Sequence, residues 1–244
     1  MILDDVCIVL VGTTHPGNIG AAARAMKTMG LTDLRLVTPK LYPHDEATAR
    51  ASGADDVLDA ATVHETLDDA LTGTVRAYGT SARLRSLRWP VADPAGTAAE
   101  VAGQPDGHKV AIVFGREKTG LTNDELARCH ALVNIDTNPE FSSLNLAMAV
   151  QVLAYELRRA LIEPPATTPE EPEIRPATLD EMRYFYEHLE RVMLSSGFLD
   201  PKNPRHLMRR LNRLFNRALP DQNEVNILRG LLSAVEEHIV EPRH

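Results

Sequence analysis

Cysteine is scarce: Cys7 and Cys129 stand far apart, and neither has a CxxC partner. That excludes a disulfide scaffold and a zinc-ribbon site, fits a reducing cytoplasm, and leaves both thiols as packing residues. Long apolar runs are missing too. No stretch approaches the length of a bilayer span, and the opening Met1-Ile2-Leu3-Asp4-Asp5 lacks the basic n-region of a signal peptide, so no membrane partner is expected. The nine histidines form no HxxxH or HxH cluster; no metal is expected, and His15 reads as a loop hydrogen-bonding residue. Basic charge is in deficit, with 26 Lys and Arg against 34 Asp and Glu, a net charge of −8. Taken as an average, that sign argues against a nucleic-acid partner; the distribution of the basic residues decides more.

What is present suffices for one large domain, or a large domain with a small companion: 244 residues, 43% of them hydrophobic. Val6–Val11 is a short continuous apolar run, suited to a strand buried on both faces of a parallel sheet. Leu34–Val37, Val75–Gly79, Val110–Phe114 and Ala131–Ile135 complete the strand candidates. Helices are expected over Ala21–Met29, over Asp45–Ser52 with Gly53 as the stop, over Glu65–Leu71, and from Thr122, whose spacing to Glu125 fits a capping box. This alternation predicts an α/β domain with a mostly parallel sheet over residues 1–162. Residues 163–177, rich in proline and glutamate, read as an extended linker. Residues 178–244 read as a small all-helical domain: a helix opened by Thr178 and Glu181 and ended by Gly197, one opened by Asn203 and Pro204, and one from about Asp221 to Ile239.

Three segments of the first domain carry candidate chemistry. In His15-Pro16-Gly17-Asn18-Ile19-Gly20-Ala21-Ala22-Ala23-Arg24-Ala25-Met26-Lys27, a strand runs through a glycine turn into a helix whose free N–H groups suit a phosphate or carboxylate. It is neither GxGxxG nor a P-loop, which weakens a Rossmann-type nucleotide-binding reading built on Gly17 and Gly20. Ile19, Ala22, Met26 and Met29 form its apolar face. Arg24 lies opposite, beside Ala21 and Ala25, either as a solvated arginine or meeting a second surface that the small residues admit. In Val113-Phe114-Gly115-Arg116-Glu117-Lys118-Thr119-Gly120-Leu121, a buried strand ends in a charged loop, at the sheet edge where ligands bind in open α/β folds; Glu117 is either a base or a clamp on backbone donors. In Ile135-Asp136-Thr137-Asn138-Pro139-Glu140-Phe141-Ser142-Ser143-Leu144-Asn145-Leu146-Ala147-Met148-Ala149-Val150, a polar loop enters a helix that is apolar nearly all round. Such a helix is buried on more than one side, by its own core or by a second copy of the chain. Ser142, Ser143 and Asn145 are helix caps or ligand contacts.

Together, in order and spacing, the three segments resemble the motifs of the SPOUT methyltransferases, in particular the TrmJ branch of tRNA 2′-O-methyltransferases acting on cytidine or uridine at position 32 of the anticodon loop. The likeness spans essentially the whole chain; Gly12-Thr13-Thr14 departs from the polar or acidic residue and serine of the pattern. It implies a trefoil knot at the C-terminal side of the sheet and a homodimer with the active site at the subunit interface. It also implies S-adenosylmethionine held by Thr80, Ser81, Ala82, Gly115, Glu117, Ile135, Ser142, Ser143, Leu144 and Asn145. The family's motif arginine, asparagine and catalytic serine fall on Arg24, Asn18 and Ser143, with Arg24 entering the partner's site and Glu117 mainly structural. A ribose hydroxyl is a poor nucleophile. Because arginine is effectively always protonated in proteins, Arg24 is read as a phosphate-positioning and alkoxide-stabilising group as much as a base.

The charge objection is met by the helix from Pro204. Arg205, Arg209, Arg210, Arg213 and Arg217 share one face, with Lys202 just before it, while Leu207, Leu211, Leu214, Phe215 and Ala218 share the other. An arginine face in an acidic chain reads as a tRNA-binding surface. Arg83, Arg85 and Arg88 form a second basic cluster beside the Thr80-Ser81 loop, next to Trp89, which is a base-stacking or a packing residue. The alternatives are 2′-O-methylation at another tRNA or rRNA site and a non-catalytic RNA-binding module.

Overall fold

The computed structural model describes residues 2–82, 90–162, 175–202 and 206–240, which fall in two compact units, Met1–Pro169 and Glu170–His244. In chain order the first unit runs β1 (Val6–Val11), α1 (Pro16–Met29), β2 (Asp33–Val37), α2 (Asp45–Ala51), α3 (Asp55–Asp59), β3 (Thr62–His64), α4 (Leu67–Ala70) and β4 (Arg76–Thr80). It continues with β5 (Val91–Ala92), α5 (Pro94–Ala102), β6 (Val110–Phe114), α6 (Asn123–Leu126), β7 (Ala131–Val133) and α7 (Leu146–Ile162). Among the described residues these strands form one all-parallel sheet in the order β3-β2-β1-β6-β4-β7-β5.

The central strand β6 pairs on one side with β1, Val110 opposite Val6 and Phe114 opposite Leu10, and on the other with β4, Val110 opposite Arg76 and Val113 opposite Gly79. Helices cover both faces of a parallel sheet, which is why β1 and β6 are apolar at every position and at most 1% exposed. Each Val, Leu, Ile or Phe side chain so buried contributes about 1.5–3 kcal/mol. Helix α1 packs on α2 and α7, and α5 packs on α7. The approach of α1 to α2 requires Gly20, because a Cβ there would lie 1.9 Å from the Ala47 carbonyl oxygen. Both cysteines are buried, and burial pushes their thiols up to about 12, so they pack and do not react.

The sheet has two strands that the apolar runs do not predict, β3 and β5. Both are short edge strands, with Val63 and Val91 about half exposed, so neither carries a buried run. Helix α5, also unforeseen, is opened by Asp93, whose carboxylate accepts from the Gly96 amide, and by Pro94 at its first position. Ala25, expected on the outer face of α1 beside Arg24, belongs to the core at 6% exposure, while Ala21 is half-buried. Helix α7 is covered on one side within the chain, by Leu146, Ala147, Val150, Leu153, Ala154 and Leu157. Met148 and Tyr155, two turns apart, stay 61% and 49% exposed.

The second unit has α8 (Leu179–Ser195), α9 (Leu207–Ala218) and α10 (Gln222–Val240) around a small core of Ala177, Met182, Phe185 and Val225. The capping box at Thr178 and Glu181 forms as expected, and Gly197 follows α8 with φ +74°. Arg175–Ala177 are tied into this unit: Arg175 pairs with Glu181 at 2.6 Å, and the Ala177 amide donates to the Pro220 carbonyl. Helix α9 begins at Leu207 after His206, later than the Asn203-Pro204 spacing suggests; residues 203–205 lie outside the described residues. Its inner face also differs from the sequence pattern. Phe215 sits edge-on against Phe185, with ring centroids 4.8 Å apart, and the Tyr186 hydroxyl donates to Asn216 Oδ1 at 2.7 Å. That rotation buries Asn216 and leaves Leu214 46% exposed and Ala218 exposed.

Candidate active site

A cavity of about 730 Å³ opens at the C-terminal ends of β4, β6 and β7, within the roughly 300–1,000 Å³ usual for small-molecule sites. All three strands stop there because their sequences turn from apolar to polar: Thr80-Ser81 after β4, Gly115-Arg116-Glu117 after β6, and Asn134 onward after β7. The ends are cross-tied. The Thr80 hydroxyl donates to the Val113 carbonyl at 3.1 Å, the Ser81 amide to the Val133 carbonyl at 3.0 Å, and the Asn134 amide side chain to the Ser81 carbonyl at 2.8 Å. Of the residues expected around a methyl donor, Thr80, Ser81, Ala82, Gly115, Glu117, Ile135, Ser142, Ser143 and Leu144 all line this cavity.

Asn145 is outside the lining and does something else. Its side-chain amide donates to Asn18 Oδ1 at 3.0 Å, while Asn18 Nδ2 donates to Glu117 Oε1 at 3.1 Å. Asn18 thus joins the second and third motifs through its two amide atoms, which fixes its rotamer. The Glu117 carboxylate also accepts from the Thr14 amide and hydroxyl and from the His15 amide. Burial pushes that carboxyl up, but hydrogen bonds from its own amide, from Asn18 and from the amides of Thr14 and His15 hold it below the usual carboxylate range. A carboxylate so occupied is a clamp on the start of α1, not a free base. At Gly12 the backbone adopts φ +60°, and a Cβ there would meet Arg116 Nε at 2.8 Å, so with Arg116 where it lies a side chain at this position would be strained and crowded.

The loop after β6 is held rigidly. The Gly120 amide donates to the Arg116 carbonyl at 2.8 Å, and a Cβ on Gly115 would fall 2.2 Å from the Gly120 carbonyl carbon. Arg116 makes two 3.0 Å bonds to the Glu125 carboxylate, which also accepts from the Thr122 amide in the expected capping box. The third motif's loop is closed by the Thr137 hydroxyl, which donates to the Ser142 carbonyl at 3.1 Å. The cavity also takes in Phe114, Arg116, Lys118, Thr119, Gly120, Asn123, Val133, Thr137, Leu146 and Ala149, to which the sequence assigned no contact. The readable signal was a pair of glycines closing a charged loop over a buried strand; which charge faces what depends on Arg116 meeting Glu125.

Arg24 does not line the cavity of its own chain; it is exposed on α1, its carbonyl accepting from the Thr28 hydroxyl. Of the basic residues expected to meet RNA, Arg210 and Arg217 are exposed on α9, one turn either side of exposed Leu214, and Lys202 is exposed before it. Arg209 and Arg213 are half-buried, with Arg209 Nη1 3.4 Å from His206 Nδ1. Arg83, Arg85, Arg88, Trp89 and Arg205 lie outside the described residues. Among the described residues no helix is long and apolar enough to cross a membrane, and no three metal-ligating side chains cluster.

Residues 5–155 match the SpoU rRNA Methylase family, and residues 180–244 match the C-terminal domain of the tRNA methyltransferase TrmJ. A tRNA (cytidine/uridine-2′-O-)-methyltransferase TrmJ of Cronobacter sakazakii is 52% identical over 237 residues, 96% of this chain and 97% of that protein. A tRNA (cytidine/uridine/adenosine-2′-O-)-methyltransferase TrmJ of Pseudomonas aeruginosa is 49% identical over 244 residues, 96% of this chain and 95% of its own length. The crystal structure of TrmJ from Z. mobilis superposes with a TM-score of 0.85 at 36% identity, covering 94% of this chain and 98% of that one.

Proposed function

This chain belongs to the SpoU methylase family and to its TrmJ branch, and on that premise we propose that it transfers a methyl group from S-adenosylmethionine to the ribose 2′-hydroxyl of cytidine or uridine at position 32 of tRNA. One observation carries the reading: Glu117, Asn18 and Asn145 form a single hydrogen-bonded chain that draws three distant motifs to one cavity. The cavity suits the donor's mixed chemistry, with Phe114, Val133, Ile135 and Leu146 for an apolar ring and the hydroxyls of Thr80, Ser81 and Ser142 for polar edges. Bound there, S-adenosylmethionine supplies an electrophilic methyl group on a sulfonium sulfur.

The chain's own residues then have three tasks. The tied strand ends and the rigid 115–121 loop orient the donor at no further entropic cost. Ser143, exposed at the mouth of the cavity, accepts a hydrogen bond from the incoming hydroxyl and orients it while its proton passes to solvent or to a substrate phosphate oxygen. Arg24 of a second copy positions a substrate phosphate and stabilises the developing alkoxide. That last role requires a homodimer, and the uncovered Met148 and Tyr155 on α7, which packs on the helix carrying Arg24, support one. The implied knot fits a sheet whose late strands β6 and β7 lie among earlier ones. The helical domain from residue 178, with Arg209, Arg210, Arg213 and Arg217, holds the tRNA body, and the enzyme works in the cytoplasm with its substrate.

Incubation of the full-length protein with unmodified tRNA and labelled S-adenosylmethionine, followed by mass-spectrometric mapping, tests the reading. One 2′-O-methyl at nucleotide 32 is expected. Label in another nucleotide would reject the assigned position, and tRNA binding without any label would leave only an RNA-binding module. Adenosine at position 32 is the informative substitution, given the wider base range in the name of the Pseudomonas relative.

A further inference from the structure

Among the described residues, three charged ones line the cavity: Arg116, Glu117 and Lys118. Two are engaged inside the protein. Arg116 is locked to Glu125 by two bonds, and Glu117 is occupied by Thr14, His15 and Asn18. Lys118 is exposed, and among the described residues no acidic side chain pairs with it. It sits midway along a loop whose backbone is fixed by the Gly120–Arg116 bond and by the close approach of Gly115 to Gly120. The loop fixes the backbone of Lys118, and the four-carbon stem leaves its ammonium free to reach an anion near that point of the cavity.

The neighbourhood indicates which anion it serves. The exposed lining residues mark the mouth, and Lys118 shares it with Ser143, the residue assigned to the reacting hydroxyl. The methyl donor is a net cation whose single carboxylate sits beside its own ammonium, so it draws a lysine less strongly than a phosphodiester does. A polynucleotide entering by the mouth brings a phosphate for every ribose. We propose that Lys118 binds a phosphate of the tRNA beside the target ribose, an inference that rests on the methyltransferase reading above.

The test compares wild type, Lys118→Gln and Lys118→Arg as full-length proteins. Affinity for unmodified tRNA is measured across a salt series, S-adenosylmethionine affinity by calorimetry, and melting temperature as the folding control. Lys118→Gln is expected to weaken tRNA binding about tenfold. It should also make the slope of log affinity against log salt shallower by about 0.7–0.9, the loss of one phosphate contact. Lys118→Arg keeps both values, and neither variant changes the melting temperature or donor affinity. An unchanged slope and affinity in Lys118→Gln overturns the proposal. So does a loss of donor affinity at constant tRNA slope, which would assign the ammonium to the donor's carboxylate. Because the readout is binding, a wild type that binds tRNA but transfers no methyl group strikes the methyltransferase reading alone. A wild type that binds no tRNA overturns both.

Discussion

The two units use charge in opposite ways. In the sheet unit, polar side chains are tied across 60 to 127 residues of sequence: Glu117 to Thr14 and Asn18, Asn145 to Asn18, Arg128 to Asp68. In the helical unit the ties knit a few neighbouring helices, as where Glu236 holds both His188 and Arg191, while Arg210 and Arg217 are turned to solvent. Long-range ties fix atoms relative to one another, which chemistry on a ribose demands. Exposed arginines on a lightly packed helix act over a Debye length and tolerate imprecision, which suits holding a large polyanion. The difference teaches that a substitution among the long-range ties of the first unit should alter rate, and one among the exposed arginines of the second should alter affinity.

The strongest way to break that division is at the shared site. Arg24→Ala and Ser143→Ala should each lower methyl transfer by about 10²–10³-fold, and Arg24→Ala should leave donor affinity intact. Mixing and re-equilibrating the two inactive proteins should restore about a quarter of the wild-type rate, since half the dimers are mixed and each has one intact site. No recovery in the labelled-methyl assay would place both residues in one subunit's site. Next in size, Glu117→Gln should reduce kcat about 10²-fold through misplacement of the loop before α1, with tRNA affinity unchanged in a filter-binding titration. A change confined to KM for tRNA would blur the line between the units.

Arg210→Glu combined with Arg217→Glu should weaken tRNA binding by at least tenfold and make the salt slope shallower by about two, with kcat at saturating tRNA unaffected. The smallest effect concerns acid. Burial first, and the Arg76 guanidinium second, push the His130 imidazole down to about 4, and its Nδ1 accepts from the Ala77 amide within the sheet. Above the ordinary histidine value of about 6.5, folded and unfolded chains are both neutral there. As pH falls, the unfolded chain takes up a proton that the folded one refuses, so stability declines until about pH 4, where the folded imidazole titrates too. Urea titrations between pH 7 and 4.5 should show this loss in wild type and a flatter profile in His130→Asn; equal slopes would assign the acid sensitivity elsewhere.

Much of this was legible in the residues because burial writes itself into composition. β1, β2, β4, β6 and β7 read as strands since each has its inner residues covered by helices. β3 and β5 did not, since an edge of two or three residues has nothing to bury. The position of Leu214 was misread because a helical wheel supplies relative angles only; the absolute rotation of α9 is set by Phe215 against Phe185 and by Asn216 against Tyr186. At the site, nine of the lining residues are ones that the family resemblance implies, while Asn145 stands outside the lining. The bond from Asn145 to Asn18 and the isolation of Lys118 were not legible, as both depend on which partner another side chain has already taken.

The place of β6 has a consequence for how the chain is made. β1 and β4 are its two neighbours in the sheet, yet Val110–Phe114 leaves the ribosome after both. Until then the nascent protein carries only the β3-β2-β1 half of the sheet, with the inner edge of β1 unsatisfied, and β4 and β5 wait unpaired, since β7, which joins them, is made later still. Synthesis at about 5–20 residues per second leaves those edges open for seconds, so yield in the cell should depend on chaperone supply more than the finished domain's stability would suggest.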